Sequence, residues 1–207
     1  FSGQSLLVAS DETGVFNLYR VSLDGKTWQP LTTSTTDAMM PVDWFPKDDR
    51  VLYTADQGGN ELHHLYVREL DGSVKDLTPG DKHKAEFIGW TDDNKFWVMS
   101  NEREPKFFDL YSYDSSTYQR TLVYQNDQGY EIGALSDNGR YLALSKERTN
   151  ADNDLYLVDL QSADKTPVHV TPHQGNVSHA VFGFSRDNNQ LIFGSDEKSE
   201  FSEAFAY

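Results

Sequence analysis

The chain has 207 residues, with 33 acidic against 18 basic side chains, a formal net charge of −15 and a pI near 4.6. A field of this sign repels phosphate backbones, so we predict no nucleic-acid partner. The apolar runs are only a few residues long, whereas a bilayer-spanning helix needs about 20, so we predict no membrane span. The absence of cysteine excludes disulfides and thiolate nucleophiles, and it leaves both the bacterial cytoplasm and the periplasm open as the compartment.

A repeated pair of residues determines the predicted architecture. An aliphatic or small residue followed by an aromatic recurs at intervals of 47, 45, 45 and 49 residues, as Leu18-Tyr19, Leu65-Tyr66, Leu110-Tyr111, Leu155-Tyr156 and Ala204-Phe205. A second column closes an apolar run in each unit at nearly the same interval: Ser10, Ala55, Ser100, Ser145 and Ser195. A fixed period of this size is typical of repeat folds, in which each unit is one supersecondary structure.

Each repeat unit is predicted to contain four strands. The first strands are predicted at residues 42–45, 87–90, 132–135 and 181–184, and the second strands at 6–9, 51–54, 96–99, 141–144 and 191–194. Polar segments rich in Asp, Asn and Gly separate them at residues 47–50, 92–95, 137–140 and 186–189, where we expect hairpin turns. The third strand carries the Leu-Tyr pair, and the fourth ends at Leu31-Thr32, Leu77-Thr78, Leu122-Val123 or Val170-Thr171.

The third residue of the first strand is small in three of the four units. These residues are Gly89, Ala134 and Gly183, and Trp44 is the exception. Small residues fit positions where another backbone approaches closely. We therefore expect the first strands to crowd toward a shared axis.

Four short antiparallel strands per repeat, without a helical period, favour an all-β fold of the β-propeller class. We expect a partial propeller of about four and a half four-stranded blades, with approximate ranges 1–35, 36–80, 81–126, 127–173 and 174–207. Phe1 aligns with Phe45 at the end of a first strand, and Tyr207 follows a third strand. Because a propeller protects its strand edges by closing its ring, the sequence predicts a piece of a longer chain.

Two stretches resemble a known family. Residues 10–21, followed by Asp24-Gly25 and Leu31-Thr32, resemble blades in the N-terminal propellers of the prolyl oligopeptidase family. Residues 154–160 with 170–173 are similar as well, especially to the acylaminoacyl-peptidase and dipeptidyl-peptidase branch.

The resemblance implies a propeller that precedes an α/β-hydrolase domain with a Ser, Asp and His triad and limits which peptides reach it. It implies that the parent protein is a serine peptidase, that the partner is this C-terminal hydrolase domain of the same polypeptide, absent here, and that peptides are the substrates. The same columns also resemble the periplasmic Tol-system propeller. The alternative is therefore a stand-alone, Tol-like binding propeller that serves as a protein interaction scaffold.

No catalytic residue is predicted within the chain. A nucleophile elbow needs the pattern G-x-S-x-G on a strand-to-helix turn. The nearest string, residues 183–187, lacks the second glycine and falls in a predicted hairpin. No cofactor-binding or metal-binding residue is predicted either.

The candidate contact residues lie in the connections between second and third strands. They are Asp11, Glu12, Glu102, Arg103, Glu104, Asp196 and Glu197. One interpretation is an acidic rim that attracts peptide amino termini. The other is turn capping and ordinary solvated loops.

Two patterns that could suggest a metal are assigned to other roles. Asn150, Asp152 and Asp154 match the start of a calcium loop, but Leu155 and Gln161 stand where glycine and glutamate are required, so we expect a solvated loop. Among the six histidines, His63 and His64 are adjacent on a predicted strand and point to opposite faces. His169, His173 and His179 cross a strand end and a loop, and we expect all six in packing or surface roles.

Overall fold

The computed structural model describes residues 3–91 and 93–207, and every helix or strand within these residues is a β-strand. Phe1, and Asp92 of the second predicted turn, lie outside the described residues. The chain divides into two compact units, Phe1–Phe87 and Ile88–Tyr207, and the dividing point falls within the strand Ala85–Trp90.

The first unit contains two antiparallel sheets with strands in chain order. Blade 1 consists of β1 (Ser5–Ser10), β2 (Asn17–Ser22) and β3 (Trp28–Pro30). Blade 2 consists of β4 (Met39–Trp44), β5 (Val51–Ala55), β6 (His64–Arg68) and β7 (Val74–Asp76).

The second unit contains three more antiparallel sheets, again in chain order. Blade 3 consists of β8 (Ala85–Trp90), β9 (Lys95–Glu104), β10 (Phe107–Asp114) and β11 (Arg120–Tyr124). Blade 4 consists of β12 (Glu131–Leu135), β13 (Tyr141–Thr149), β14 (Asp152–Asp159) and β15 (Val168–His169), and blade 5 of β16 (His179–Phe184), β17 (Leu191–Ser195) and β18 (Glu203–Ala206). The four-stranded unit is confirmed, while the exact blade boundaries stay a prediction.

Apolar side chains on alternating positions pack each blade against its neighbour within a unit. In the first unit Leu18 of blade 1 packs with Trp44, Val51 and Tyr53 of blade 2. In the second unit one cluster joins blades 3 and 4, and another joins blades 4 and 5. Trp44, the large exception among the small first-strand residues, is buried in the first-unit core, and the guanidinium of Arg20 lies 4.7 Å from its ring centroid.

A threonine two residues after the last strand of the blade ties this end of the chain to the preceding strand. The backbone N–H of Leu18 donates to Thr32 Oγ1, that of Leu65 to Thr78 Oγ1, and that of Leu155 to Thr171 Oγ1, at 2.9, 2.9 and 2.8 Å. These leucines are the first members of the repeated Leu-Tyr pairs. The repeated sequence columns therefore correspond to a repeated hydrogen bond inside each of blades 1, 2 and 4.

The predicted hairpin turns are confirmed by their backbone geometry. Asn94, Gly139 and Asn188 have positive φ values of 66°, 68° and 60°. Asparagine and glycine tolerate this left-handed region at low cost. The serine at the start of the last turn, Ser185, bonds Asp187 through its hydroxyl and accepts from the N–H of Gln190, so residues 183–187 form a hairpin as predicted.

The residues of the second repeated column have the same cross-strand partner in four blades, and blade 4 differs by one residue. Ser10, Ala55, Ser100 and Ser195 each lie opposite the residue that precedes the Leu-Tyr pair or its equivalent. Ser145 instead lies opposite Leu155, and Lys146 occupies the position of the other four residues. Ser100 and Ser145 are 45 residues apart, as are Leu110 and Leu155, so the sequence spacing does not show this one-residue change of register.

The explanation of the small first-strand residues needs correction at two positions. A Cβ added to Gly89 or Gly183 would meet nothing within 4 Å, so no backbone crowds them. Gly183 instead has a φ of +137°, directly after a register shift in β16. The close approach occurs one residue before Ala134, at Gly133, where an added Cβ would lie 2.9 Å from Val181 of blade 5.

Candidate functional site

The connections between second and third strands form the candidate site. A serine at or near the end of the second strand recurs in three blades, and its hydroxyl accepts the N–H two residues later. These bonds join Glu12 to Ser10, Glu102 to Ser100 and Glu197 to Ser195, at 3.3, 3.3 and 3.2 Å. The glutamate side chain is thereby placed at the end of its blade.

Asp11 and Glu12 lie in the tight turn between β1 and β2, as predicted. Both are exposed, and the turn closes through the N–H of Gly14, which donates to the carbonyl of Asp11 at 2.8 Å. Gly14 has a φ of +97°, which favours glycine at this position. The turn presents both carboxylates to solvent.

Asp196 and Glu197 lie in the connection between β17 and β18, also as predicted, and differ in what they contact. The Oδ1 of Asp196 accepts the N–H of Ser178 at 2.8 Å, so Asp196 holds the segment that enters blade 5. Glu197 is exposed. Both residues border a cleft of about 660 Å³ whose opposite wall is formed by residues 172–177.

The prediction that Glu102, Arg103 and Glu104 lie in a loop is wrong. They are the last residues of β9, and Glu104 pairs with Phe107 of β10 across a two-residue connection. The physical reason is that side-chain contacts hold the hairpin together beyond the body of the blade. Glu102 contacts Arg120 of β11, and Glu104 accepts the N–H of Lys106 at 3.3 Å.

Arg103 is committed to the protein rather than free for a ligand. Its Nε and Nη2 lie 2.6 and 2.9 Å from the two carboxylate oxygens of Asp109, whose side chain is 0% exposed. Its Nη1 lies 3.0 Å from Asp127 Oδ1, and its Nη2 also donates to the carbonyl of Asn126. Hydrogen bonding to Asp109 raises the pKa of Arg103 above its usual range, so the guanidinium keeps its charge.

The equivalent hairpin of blade 4 contains a buried ionic cluster that the sequence analysis missed. Strands β13 and β14 pair as far as Thr149 and Asp152. Asp152 and Asp154 are buried on β14 instead of lying in the predicted solvated loop, so that prediction is wrong. The Nε of Arg148 lies 2.9 Å from Asp152 Oδ2 and 3.5 Å from Asp154 Oδ2.

Two histidines complete this cluster. The side chain of His173 is 1% exposed, and its Nε2 lies 2.9 Å from Asp152 Oδ1. His169 Nε2 lies 2.8 Å from Asp154 Oδ1. The hydrogen bond to His173 is the main cause that lowers the pKa of Asp152, so this carboxylate stays charged.

The remaining histidines are mostly packed. His64 is buried, bonds Asp76 Oδ2 at 2.8 Å and stacks on His83. His63 precedes β6 rather than sharing the strand with His64, which corrects the prediction of two adjacent strand residues. In the described part of the chain, no group of three or more His, Asp or Glu side chains is placed to hold a metal ion.

A signal for the blade 3 and blade 4 anchors does exist in the sequence. The pairs Glu102-Arg103 and Glu147-Arg148 are 45 residues apart, as are Asp109 and Asp154. A search of the repeat for paired opposite charges would have found both.

Among residues 3–91 and 93–207 there is no helix with the length and hydropathy of a membrane span.

The sequence matches the family model described as the prolyl oligopeptidase N-terminal beta-propeller domain over residues 7–202. Dipeptidyl aminopeptidase BIII of Pseudoxanthomonas mexicana is 31% identical over 143 residues, which cover 67% of this chain and 20% of that protein. The chain thus spans about one fifth of the length of this curated relative.

Solved structures show the same fold at low identity. TolB from Acinetobacter baumannii aligns with a TM-score of 0.55 and 18% identity, over 97% of this chain and 53% of that one. An oligogalacturonate lyase in complex with manganese gives 0.69 and 16%, over 99% and 59%. Oligopeptidase B from Leishmania major gives 0.63 and 13%, over 100% and 31%.

These likenesses and the repeated antiparallel sheets confirm the predicted all-β propeller class. At such low identities the solved structures show the fold alone. The match over residues 7–202 extends to the sequence pattern itself and takes in all but the ends of the chain. The chain therefore belongs to the prolyl oligopeptidase family, and these residues are part of its N-terminal β-propeller domain.

Proposed function

We propose that this chain is the non-catalytic propeller portion of a serine peptidase and that it limits the access of peptides to an α/β-hydrolase domain elsewhere in the same polypeptide. The observation that carries the proposal is the match to the family's N-terminal propeller over residues 7–202. Within the chain, the one string close to a nucleophile elbow is a hairpin turn whose serine hydroxyl is bound.

The acidic connections support a role in peptide contact. Asp11, Glu12 and Glu197 are exposed, and Glu197 borders the cleft of blade 5. With a net charge of −15, the chain attracts cationic groups such as a peptide amino terminus. Arg103 and Asp196 have structural partners, so we assign them to holding the connections in place.

Labelling of the complete natural protein with a fluorophosphonate probe, followed by peptide mapping, tests the serine peptidase proposal. We expect one labelled serine, outside residues 1–207. A labelled serine within these residues would contradict the non-catalytic assignment. Absence of both a labelled serine and peptidase activity in the folded protein would instead favour the alternative of a binding propeller.

The contact role has a separate test. Glu197→Gln in the complete protein is expected to lower kcat/KM for peptides with a free amino terminus more than for the same peptides acetylated at that end. Asp137→Asn is the matched control, because Asp137 is an exposed acid in the turn between first and second strands, at the opposite end of a blade. Equal effects of the two variants on both substrates would count against substrate contact by Glu197.

A further inference from the structure

The segment 172–178 connects blade 4 to blade 5, and carboxylates hold it at two points. The N–H of Val177 donates to Asp152 Oδ1 at 3.2 Å, and the N–H of Ser178 donates to Asp196 Oδ1 at 2.8 Å. The same segment forms one wall of the cleft that Glu197 borders. The position of this wall therefore depends on how Asp152 is bonded.

The imidazole of His173 has two competing partners for one nitrogen. Its Nδ1 lies 2.9 Å from the carbonyl of Thr171, so Nδ1 carries a hydrogen and donates it there. Its Nε2 lies 2.9 Å from Asp152 Oδ1 and within hydrogen-bond distance of Arg148 Nη2. Nε2 can donate to Asp152 only when the ring is charged, and it can accept from Arg148 only when the ring is neutral.

Charged or titratable side chains surround this ring from each neighbouring strand. They are Arg148 on β13, Asp152 and Asp154 on β14, His169 on β15 through its bond to Asp154, His179 on β16 with its ring 5.1 Å away, and Asp196 and Glu197 across the cleft. When His173 is charged, it and Arg148 balance the two buried carboxylates. Loss of the proton leaves the cluster with excess negative charge.

We infer that His173 is a proton-dependent clamp that holds segment 172–178 against β14 when the ring is charged and loosens it when the ring is neutral. The charged ring bonds Asp152, which also holds Val177, so one carboxylate fastens the segment at two places. In the neutral ring, Nε2 accepts a hydrogen bond from Arg148 instead of donating to Asp152. Asp152 then holds the segment only through the N–H of Val177.

The pH range follows from the direction of the His173 pKa. Burial by itself lowers this pKa, but the hydrogen bonds to Asp152 and to the Thr171 carbonyl outweigh burial, and the pKa lies above its usual 6.5. A raised pKa means that the stabilisation is complete below pH 6.5 and is lost as the pH rises through the folded value. The clamp is therefore expected to be closed in mildly acidic solution and to loosen above neutrality.

Hydrogen exchange of the complete protein, followed by mass spectrometry between pH 5.5 and 9 and corrected for the intrinsic rate, tests the clamp. The amides of residues 173–179 are expected to lose protection by on the order of tenfold as the pH rises, which is the effect of losing one charge-assisted hydrogen bond. In His173→Gln the pH-dependent loss is expected to disappear.

Two further variants keep the test decisive if His173→Gln unfolds the segment. Asp152→Asn removes the carboxylate that favours the charged ring, so the transition is expected to move to lower pH. His83→Gln is the control, because His83 lies four residues beyond the equivalent Thr78-Pro79 pair and also bonds a threonine carbonyl, that of Thr78, at 3.0 Å. Unchanged protection across the pH range, or the same transition in His173→Gln as in the unaltered protein, would overturn the inference.

Discussion

The hairpins of blades 3 and 4 show how one scaffold can be anchored in two ways. Both extend past the body of their sheet, and in each an arginine on the second strand reaches at least one carboxylate on the third. In blade 3, Arg103 and Asp109 form a bidentate pair, and its cation is an arginine, which keeps its proton throughout the ordinary pH range. In blade 4, His173 joins the pair, and a titratable group enters the anchor.

The first residue of the third strand underlies this difference. Blade 3 has Phe107 at that position, which packs over Gly129, and blade 4 has Asp152, which bonds His173 and Val177. An apolar contact fixes the connecting segment of blade 3 independently of pH. In blade 4 the carboxylate of Asp152 holds the connecting segment, and the strength of this contact depends on whether His173 is protonated.

The largest effect is expected from the blade 3 anchor. Asp109→Ala leaves the guanidinium of Arg103 and the N–H of Asn126 without their buried partner. Breaking a buried ion pair on one side costs about 3–5 kcal/mol of unfolding free energy. Urea unfolding at pH 7 measures it, and a loss below about 1 kcal/mol would show that this anchor resembles a surface pair.

The apolar contact of blade 3 is expected to come next. An added Cβ at Gly129 would lie 2.6 Å from the ring of Phe107, and the backbone there has a φ of +68°. Gly129→Ala is therefore expected to cost about 1–3 kcal/mol through overpacking and strain. Gly175→Ala, at a φ of +82° with open space around it, is the control that isolates the strain.

The blade 4 anchor is expected to respond to pH where that of blade 3 does not. Asp152→Asn should lower the urea midpoint more at pH 5.5 than at pH 8.5, because His173 donates a hydrogen bond to this carboxylate only when its ring is charged. The lowered pKa of Asp152 keeps it ionised at both values, so the pH dependence arises from the histidine. Equal destabilisation at both pH values would remove the distinction between the two blades.

The smallest effect is expected at the exposed end of the blade 3 anchor. Asp127 is 59% exposed and lies 3.0 Å from Arg103. Exposed ion pairs contribute about 0–1 kcal/mol, so Asp127→Ala should shift the urea midpoint only slightly. A loss as large as that of Asp109→Ala would mean that the arginine is held from its exposed side.

The local features that recur in every blade could be predicted from the sequence. The Leu-Tyr pair locates the third strand of every blade because buried aliphatic and aromatic residues recur with the period of the fold. The turns could be predicted as well, since Asn94, Gly139 and Asn188 suit a left-handed backbone.

The 45-residue repeat puts Arg103 and Arg148 in matching positions, but the other partners in the two anchors could not be predicted because they are distant in sequence. Asp152 meets His173 across 21 residues, and Arg103 meets the carbonyl of Asn126 across 23. With 33 acidic residues in the chain, no single carboxylate stands out as buried. The length of β9 escaped prediction for the same reason, since the contact of Glu102 with Arg120 spans 18 residues.

We propose that this propeller limits the access of peptides and contacts them but carries out no chemistry. Hydrolysis of aminoacyl and peptidyl chromogenic substrates by purified residues 1–207, beside the complete protein at equal molarity, tests it most directly. We expect turnover by the complete protein and none by residues 1–207. Turnover that stays with residues 1–207 through successive purification steps would contradict it.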